Sequence, residues 1–347
     1  GQEDIIVLDH AYHGTSTTTM QISPYKFDKP GGIGQMPWVH KALNPDIYRG
    51  PYQNNNGEAG KDYAKSVADI IEKLKQKNKK PAAFICETLL GVGGQIPLPK
   101  NYLQEVYSIV QAAGGICIAD EVQVGFGRVG SKFWGFELQE VMPDIVVMGK
   151  PIGNGHPLAA VVMTEEIAKK FNNGIEFFNT YGGNPVSMAT GKAVLKTIQD
   201  EELQKNAFIV GNLLVQMFKQ LMDKHPIIGD VRGEGLFVGV ELVKDRTTKE
   251  PLGKEINQIV EALKNKGFLM LYNPTKERIT RTINVPLYYT GLTSAATFKE
   301  KGATAQKYTL NRNYAADEHG RWYFQNGPQR GYVALARAPL LLRAEDD

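Results

Sequence analysis

An α/β fold with a mainly parallel sheet covered by helices, followed by a small α+β domain, is predicted from three features of the sequence. Short Val/Ile-rich runs alternate with helical patterns as far as about residue 225. Those runs are apolar throughout and lack period-2 alternation, as suits strands covered on both faces. The chain's 347 residues, 42% hydrophobic and 22% charged, suffice for one large or two modest domains with a real core.

The strands are expected at Ile5–Asp9, Ala82–Glu87, Gly115–Glu121, Asp144–Gly149 and Ala159–Thr164. Helices separate them. Asp62–Lys75 sets Val67, Ile70, Ile71 and Leu74 on one face, and Tyr102–Ala113 does so with Val106, Ile109 and Val110. Further helices cover Val186–Ile198 and Leu203–Lys224. The stretch Asp230–Leu242 reads as a glycine turn leading into a strand, Ile256–Lys266 as an amphipathic helix, and Gly267–Tyr272 as a short strand. The expected organisation is a large domain over 1–195, a small domain over 196–272, and a segment over 273–347 rich in β and loop signals, among them Val285–Tyr314, Arg321–Phe324 and Tyr332–Leu335.

Bulk chemistry narrows the partners. A net charge of +3 gives no reason to expect nucleic acid or an anionic membrane, and the lysines over Lys73–Lys80 read as a solvated helix end. No apolar run approaches the roughly 20 residues that cross a bilayer. Cys86 and Cys117 lie in apolar runs and are expected as buried, reduced thiols in adjacent strands, which favours a reducing, cytoplasmic setting. The chain opens almost directly on a core strand, which reads as an N-terminal truncation. His10, His13 and His156 lack the further ligands of a metal site, so no metal is expected. Gly91–Gly94 and Gly233–Gly235 lack the full context of a nucleotide loop and read as turns.

Three places carry chemistry. Asp120 ends the strand Gly115–Glu121, where parallel sheets bind ligands, although a single Asp there is most often a helix cap or loop acid. Lys150 closes the next strand ahead of Pro151, Gly153 and Gly155; alone it reads as a surface lysine with its amine in water. Asn179-Thr-Tyr-Gly-Gly-Asn-Pro185 brings backbone amides and the Thr180 hydroxyl to a helix start, which suits phosphate and is also ordinary turn chemistry. Together they meet the needs of pyridoxal 5'-phosphate: an amine for its aldehyde, a carboxylate for its pyridine nitrogen, and donors for its phosphate.

Asp9-His-Ala-Tyr-His-Gly14, Ile118-Ala-Asp-Glu-Val-Gln-Val-Gly-Phe-Gly-Arg128, Pro143-Asp-Ile-Val-Val-Met-Gly-Lys150, Thr180-Tyr-Gly-Gly-Asn-Pro185 and Val231-Arg-Gly-Glu-Gly-Leu236 resemble, in order and spacing, the motifs of class III aminotransferases of the fold type I architecture. The resemblance spans about Asp4 to Leu271. Ile22–Phe27, Pro45–Gly50 and Gly149–Leu158 look most like the branch of alanine–glyoxylate aminotransferase-like proteins and ethanolamine-phosphate phospholyases.

The resemblance implies roles. Lys150 would carry the cofactor as a Schiff base, and Asp120 would face the pyridine nitrogen. Tyr12 and Val122 would pack on the two ring faces, and Gln123 would bond the ring's phenolic oxygen. Glu87 would lie beside the substrate. His13 would lie near the ring, or be an ordinary structural histidine. Thr180 would reach the cofactor of the neighbouring subunit in a homodimer. The activity implied is amino transfer between an amino acid or amine and a 2-oxo acid. The alternatives are a phospholyase acting on phosphoethanolamine or a similar amine, and a fragment or chimera unable to hold the cofactor. The last is raised because the family's phosphate loop would precede Ile5 and its closing Arg segment does not follow Tyr272. Arg278 and Arg281 align with no carboxylate-binding role.

Overall fold

The computed structural model describes residues 2–53, 58–253, 255–264 and short strands within 266–345. The chain divides into two compact units, Gly1–Glu250 and Pro251–Asp347. In the first, the elements run β1 (Asp4–Leu8), α1 (Thr17–Gln21), α2 (Pro24–Phe27), β2 (Val39–Ala42), α3 (Glu58–Gln76), β3 (Pro81–Glu87), β4 (Leu89–Leu90), β5 (Ile96–Pro97) and α4 (Tyr102–Ala112). Then follow β6 (Ile116–Asp120), β7 (Ile145–Met148), β8 (Ala160–Met163), α5 (Glu165–Phe171), α6 (Pro185–Asp200), α7 (Leu203–Lys224), β9 (Ile228–Glu234) and β10 (Phe237–Asp245), and the two-residue β11 (Glu250–Pro251) falls at the boundary.

The main sheet has the order β2-β1-β3-β6-β7-β8, parallel except for β8, which runs antiparallel to β7 at the edge. The reason for the unbroken apolar runs is visible strand by strand. Ile6 and Leu8 of β1, Phe84 and Cys86 of β3, and Cys117 of β6 point into one core with α3 and α4. Their neighbours Val7, Ile85 and Ile118 point into a second core on the other face, with Ile22, Phe27 and Val39. Side chains alternate across a strand, so a sheet with two buried faces has no polar position to spare. Cys86 and Cys117 are buried, free and in adjacent strands as expected, and burial pushes both thiols up. Phe84 is wholly buried. Phe84→Ala is expected to lower unfolding stability by about 3–5 kcal/mol, the usual cost of an aromatic-sized cavity, measured by denaturant titration.

Two departures from expectation have local causes. The strand Val39–Ala42 carries His40 and Lys41 at its centre, so it shows no apolar run; it pairs as an edge through β1, where His40 reaches Asp4 at 2.8 Å. The segment before Gly233 is a strand of its own, since β9 and β10 form an antiparallel hairpin turning at Gly235–Leu236. A side chain at Gly211 of α7 would sit 1.9 Å from the Gly235 carbonyl, so the helix lies directly on that turn. Leu236 N–H in turn donates to the Arg128 carbonyl at 3.0 Å, which brings the hairpin to the region after β6.

The second unit contains α8 (Glu255–Lys264) and the strands β12 (Lys266–Leu271), β13 (Ile279–Arg281), β14 (Ala295–Lys299), β15 (Gln306–Thr309), β16 (Val333–Leu335) and β17 (Leu340–Glu345). They form a four-stranded sheet, β12-β17-β14-β15, and the pair β13-β16. Arg278, Arg321–Phe324 and most of Val285–Tyr314 lie outside the described residues. Among the described residues no helix is long and apolar enough to cross a membrane.

Candidate active site

The carboxyl ends of β1, β3, β6 and β7 lie side by side, and each delivers at least one of the predicted residues. Asp120 ends β6 and is in register with Glu87, the last residue of β3, and with Val147 of β7. Tyr12 and His13 follow β1, and Lys150 follows β7 after Met148 and Gly149. This is where parallel sheets place ligands, because each crossover leaves its loop there.

His13 meets Asp120 directly, with Nδ1 2.8 Å from Oδ2 and the two side chains 1% and 9% exposed. The other Asp120 oxygen accepts the Val122 N–H at 3.1 Å. His13 is fixed from behind, since its backbone N–H donates to Ser23 Oγ, which donates to the Thr19 carbonyl. His13 Nε2 is buried and has no partner among the described residues.

Glu87, 3% exposed, accepts from the Tyr12 N–H at 3.1 Å and from the Gly91 N–H and Gln123 Nε2 at 3.2 Å. Gln123 is thus bonded to Glu87. The Tyr12 ring is half-buried and stands edge-on to Tyr25, with centroids 6.0 Å apart. Glu121 is fully buried beside Asp120 and accepts from Thr88 Oγ and from the Gly135 and Phe136 N–H groups, which anchors the loop after β6.

Burial pushes the Glu87 carboxyl above its ordinary range, against the pull of His13 and the Tyr12 N–H. The folded chain therefore holds that proton to higher pH than the unfolded chain. This contribution to stability is complete below the unfolded carboxyl's range and is lost as pH rises through the folded value. Glu87→Gln is expected to make stability fall less as pH rises through that window, read from melting temperatures across a pH series.

Lys150 lines a cavity of about 700 Å³ together with Val122 and Gln123. Its backbone φ is +37°, a left-handed conformation that costs a lysine roughly 1–3 kcal/mol and that the surrounding fold must enforce. A side chain at Gly149 would stand 3.3 Å from Val122, so the bare backbone lets Val122 lie close to the lysine strap. Beyond the strap, His156 Nε2 bonds Ser187 Oγ at 2.9 Å, and Asn184 caps α6 through the Ser187 N–H. Thr180 is exposed in the turn before α6 and is not among the residues lining this cavity.

The cavity wall adds residues that the sequence did not single out. Arg128 donates through Nε to the Gln123 carbonyl and lines the cavity with His156 and Gln95. Leu236, Phe237 and Val238 of the hairpin complete the wall. Arg128 lies inside a quoted motif, where its charge was the available signal. The hairpin residues lie more than a hundred positions from Asp120, and nothing local ties them to it.

The sheet order and the antiparallel edge strand β8 match the fold type I architecture of the similar solved structures. A family model described as aminotransferase class-III matches residues 1–288, and the chain belongs to that family. Residues 300–347 match a model described as a protein of unknown function, DUF2946.

Among curated relatives, the Drosophila melanogaster "Alanine--glyoxylate aminotransferase 2-like" is 49% identical over 267 residues, 76% of this chain and 54% of the relative. The Caenorhabditis elegans "Ethanolamine-phosphate phospho-lyase homolog 1" is 43% identical over 77% of this chain and 60% of its own. The human mitochondrial alanine–glyoxylate aminotransferase 2 is 42% identical over 77% and 55%. The chain spans about half to three-fifths of the length of these relatives. Among solved structures, a Bacillus anthracis aminotransferase matches with TM-score 0.69 and 33% identity over 76% of this chain and 59% of its own. An Arthrobacter phospholyase in complex with phosphoethanolamine matches with TM-score 0.68 and 33% identity over 74% and 60%.

Proposed function

We propose that the protein is a transaminase dependent on pyridoxal 5'-phosphate, moving an amino group between an amino acid or amine and a 2-oxo acid. The observation that carries this is Lys150 on a cavity shared with Val122 and Gln123, at the sheet end that also holds the buried Asp120–His13 pair. The residues present suit the cofactor. Asp120 is 7% exposed at that end, with the His13 imidazole on one oxygen and the Val122 N–H on the other, and a buried carboxylate suits a protonated ring nitrogen. Asp120 has accepted two donors, and a carboxylate has room for about four.

When bound, the cofactor supplies an aldehyde for an amine and a ring that accepts electrons. The chain supplies the rest. Lys150 would hold the aldehyde, and its free amine would move the proton at the substrate carbon. Asp120, oriented by His13, keeps the ring nitrogen protonated. Tyr12 and Val122 are assigned to the ring faces, Gln123 to the ring hydroxyl, and Glu87 to the substrate side. Arg128 is assigned to the anionic end of the substrate.

Thr180 is assigned to the phosphate held by a second copy of the chain. The exposed rings of Phe177, Phe178 and Tyr181 around it, 75–81% exposed, support a homodimer there. The cytoplasmic setting is retained as part of this reading, beside a human relative whose name is mitochondrial; fractionation of cells making the protein decides between compartments.

The phospholyase reading uses the same lysine and aspartate. It is favoured by the phospho-lyase homologue and the phospholyase among the matched proteins, and by Arg128 in the cavity lining, since a guanidinium suits a phosphate. Product analysis separates the two. A new amino acid with a keto acid or aldehyde from the donor supports transfer; inorganic phosphate, ammonia and an aldehyde from phosphoethanolamine overturn it in favour of the lyase.

A further inference from the structure

A second cavity, of about 660 Å³, shares no lining residue with the first. Ile47, Ile96, Leu98 and Val231 give it an apolar wall. Its shape is held in place by polar contacts. Gln139 Nε2 donates to the Leu98 and Pro99 carbonyls at 3.2 Å, and a side chain at Gly60 of α3 would sit 2.0 Å from the Lys100 carbonyl. Arg232 on β9 is already committed, bonding Asp230, Glu241 and the Gly94 carbonyl.

Three other charged residues on the cavity are not committed. The side chains of Lys100, Lys219 and Asp223 have no hydrogen bond or ion pair among the described residues. Lys219 and Asp223 are four apart on α7, a spacing that commonly allows pairing, yet they stay apart. Asp46, the remaining acid of the lining, keeps the Tyr48 and Arg49 N–H groups on one oxygen.

A preformed cavity of this size with an apolar wall and a few charged groups is the usual form of a small-molecule site. Outside the Arg232 network its charges are two lysines and two aspartates, so they balance. A lone anion would leave the acids unmatched, and a lone cation would leave the lysines unmatched. A ligand carrying both charges on an apolar body offers a partner to groups of both signs. We propose that this cavity binds a zwitterionic amino acid with an apolar side chain, its carboxylate at Lys100 and Lys219 and its ammonium at Asp223. The proposal does not depend on the role of Lys150.

The test is calorimetric titration of the full chain with α-methylleucine, whose quaternary α-carbon has no proton for Lys150 to move. Binding is expected to persist unchanged in Lys150→Ala. It is expected to weaken about tenfold or more in each of Lys219→Met and Asp223→Asn, the loss of roughly one charged contact. Both positions are exposed, and matched melting temperatures verify that the variants fold. The amide and the N-acetyl derivative, each lacking one charge, are expected to bind correspondingly less well. Unchanged affinity in both α7 variants, loss of binding in Arg128→Met, or no heat at millimolar ligand overturns the proposal.

Discussion

Lys150→Ala is expected to lower turnover by about 10⁴-fold or more, the upper end of what a positioned base contributes. In the proposed function the amine would both hold the cofactor aldehyde and move the substrate proton, so its removal would take away two functions at once. The loss is expected in kcat, with fold and melting temperature preserved. Lys150 is exposed on the cavity, and its left-handed backbone makes it a source of strain more than of stability. Steady-state kinetics of the variant, with a small primary amine added to replace the missing side chain, check this. Partial recovery by the added amine is the expected signature of a lost proton carrier. Activity near that of the parent would contradict the role.

Asp120→Ala is expected to reduce turnover by about 10²–10³-fold, the scale of losing one preorganised electrostatic partner of the reacting group. Cofactor binding weakens as well, because the ring nitrogen loses its counter-charge. The two effects are separated by measuring the cofactor dissociation constant alongside kcat at saturating cofactor. His13 contacts Asp120 and is proposed to act through it, so His13→Ala is expected to do less than Asp120→Ala and to do nothing further in the Asp120→Ala background. A variant lacking Asp120 that keeps most of the activity sinks this assignment.

Much of the fold was legible because the chemistry of a doubly covered parallel sheet is local. Ile5–Leu8, Phe84–Cys86 and Ile116–Ala119 are apolar at every position because both faces are buried, and that pattern needs no knowledge of the neighbours. The β2 strand was hidden for the opposite reason. It lies at the edge, and the His40 and Lys41 side chains at its centre reach the acids Asp4 and Asp28.

The candidate site was legible where its residues stand at the ends of such strands, as Asp120 and Lys150 do. The His13–Asp120 contact joins residues 107 apart in sequence, and the hairpin wall at Leu236–Val238 lies further still. These depend on how crossovers return the chain, which no local window records. The second cavity was invisible for the same reason: α3, the turn before α4, α7 and β9 each supply part of it.

The central claim is that the Lys150 amine takes up pyridoxal 5'-phosphate. Incubating the full chain with the cofactor, reducing with borohydride, and mapping the product by peptide mass spectrometry tests it directly. A stable pyridoxyl adduct on the peptide containing Lys150, absent from Lys150→Ala, is the predicted result. No adduct, or one spread over exposed lysines such as Lys169 and Lys170 and undiminished in Lys150→Ala, would contradict it.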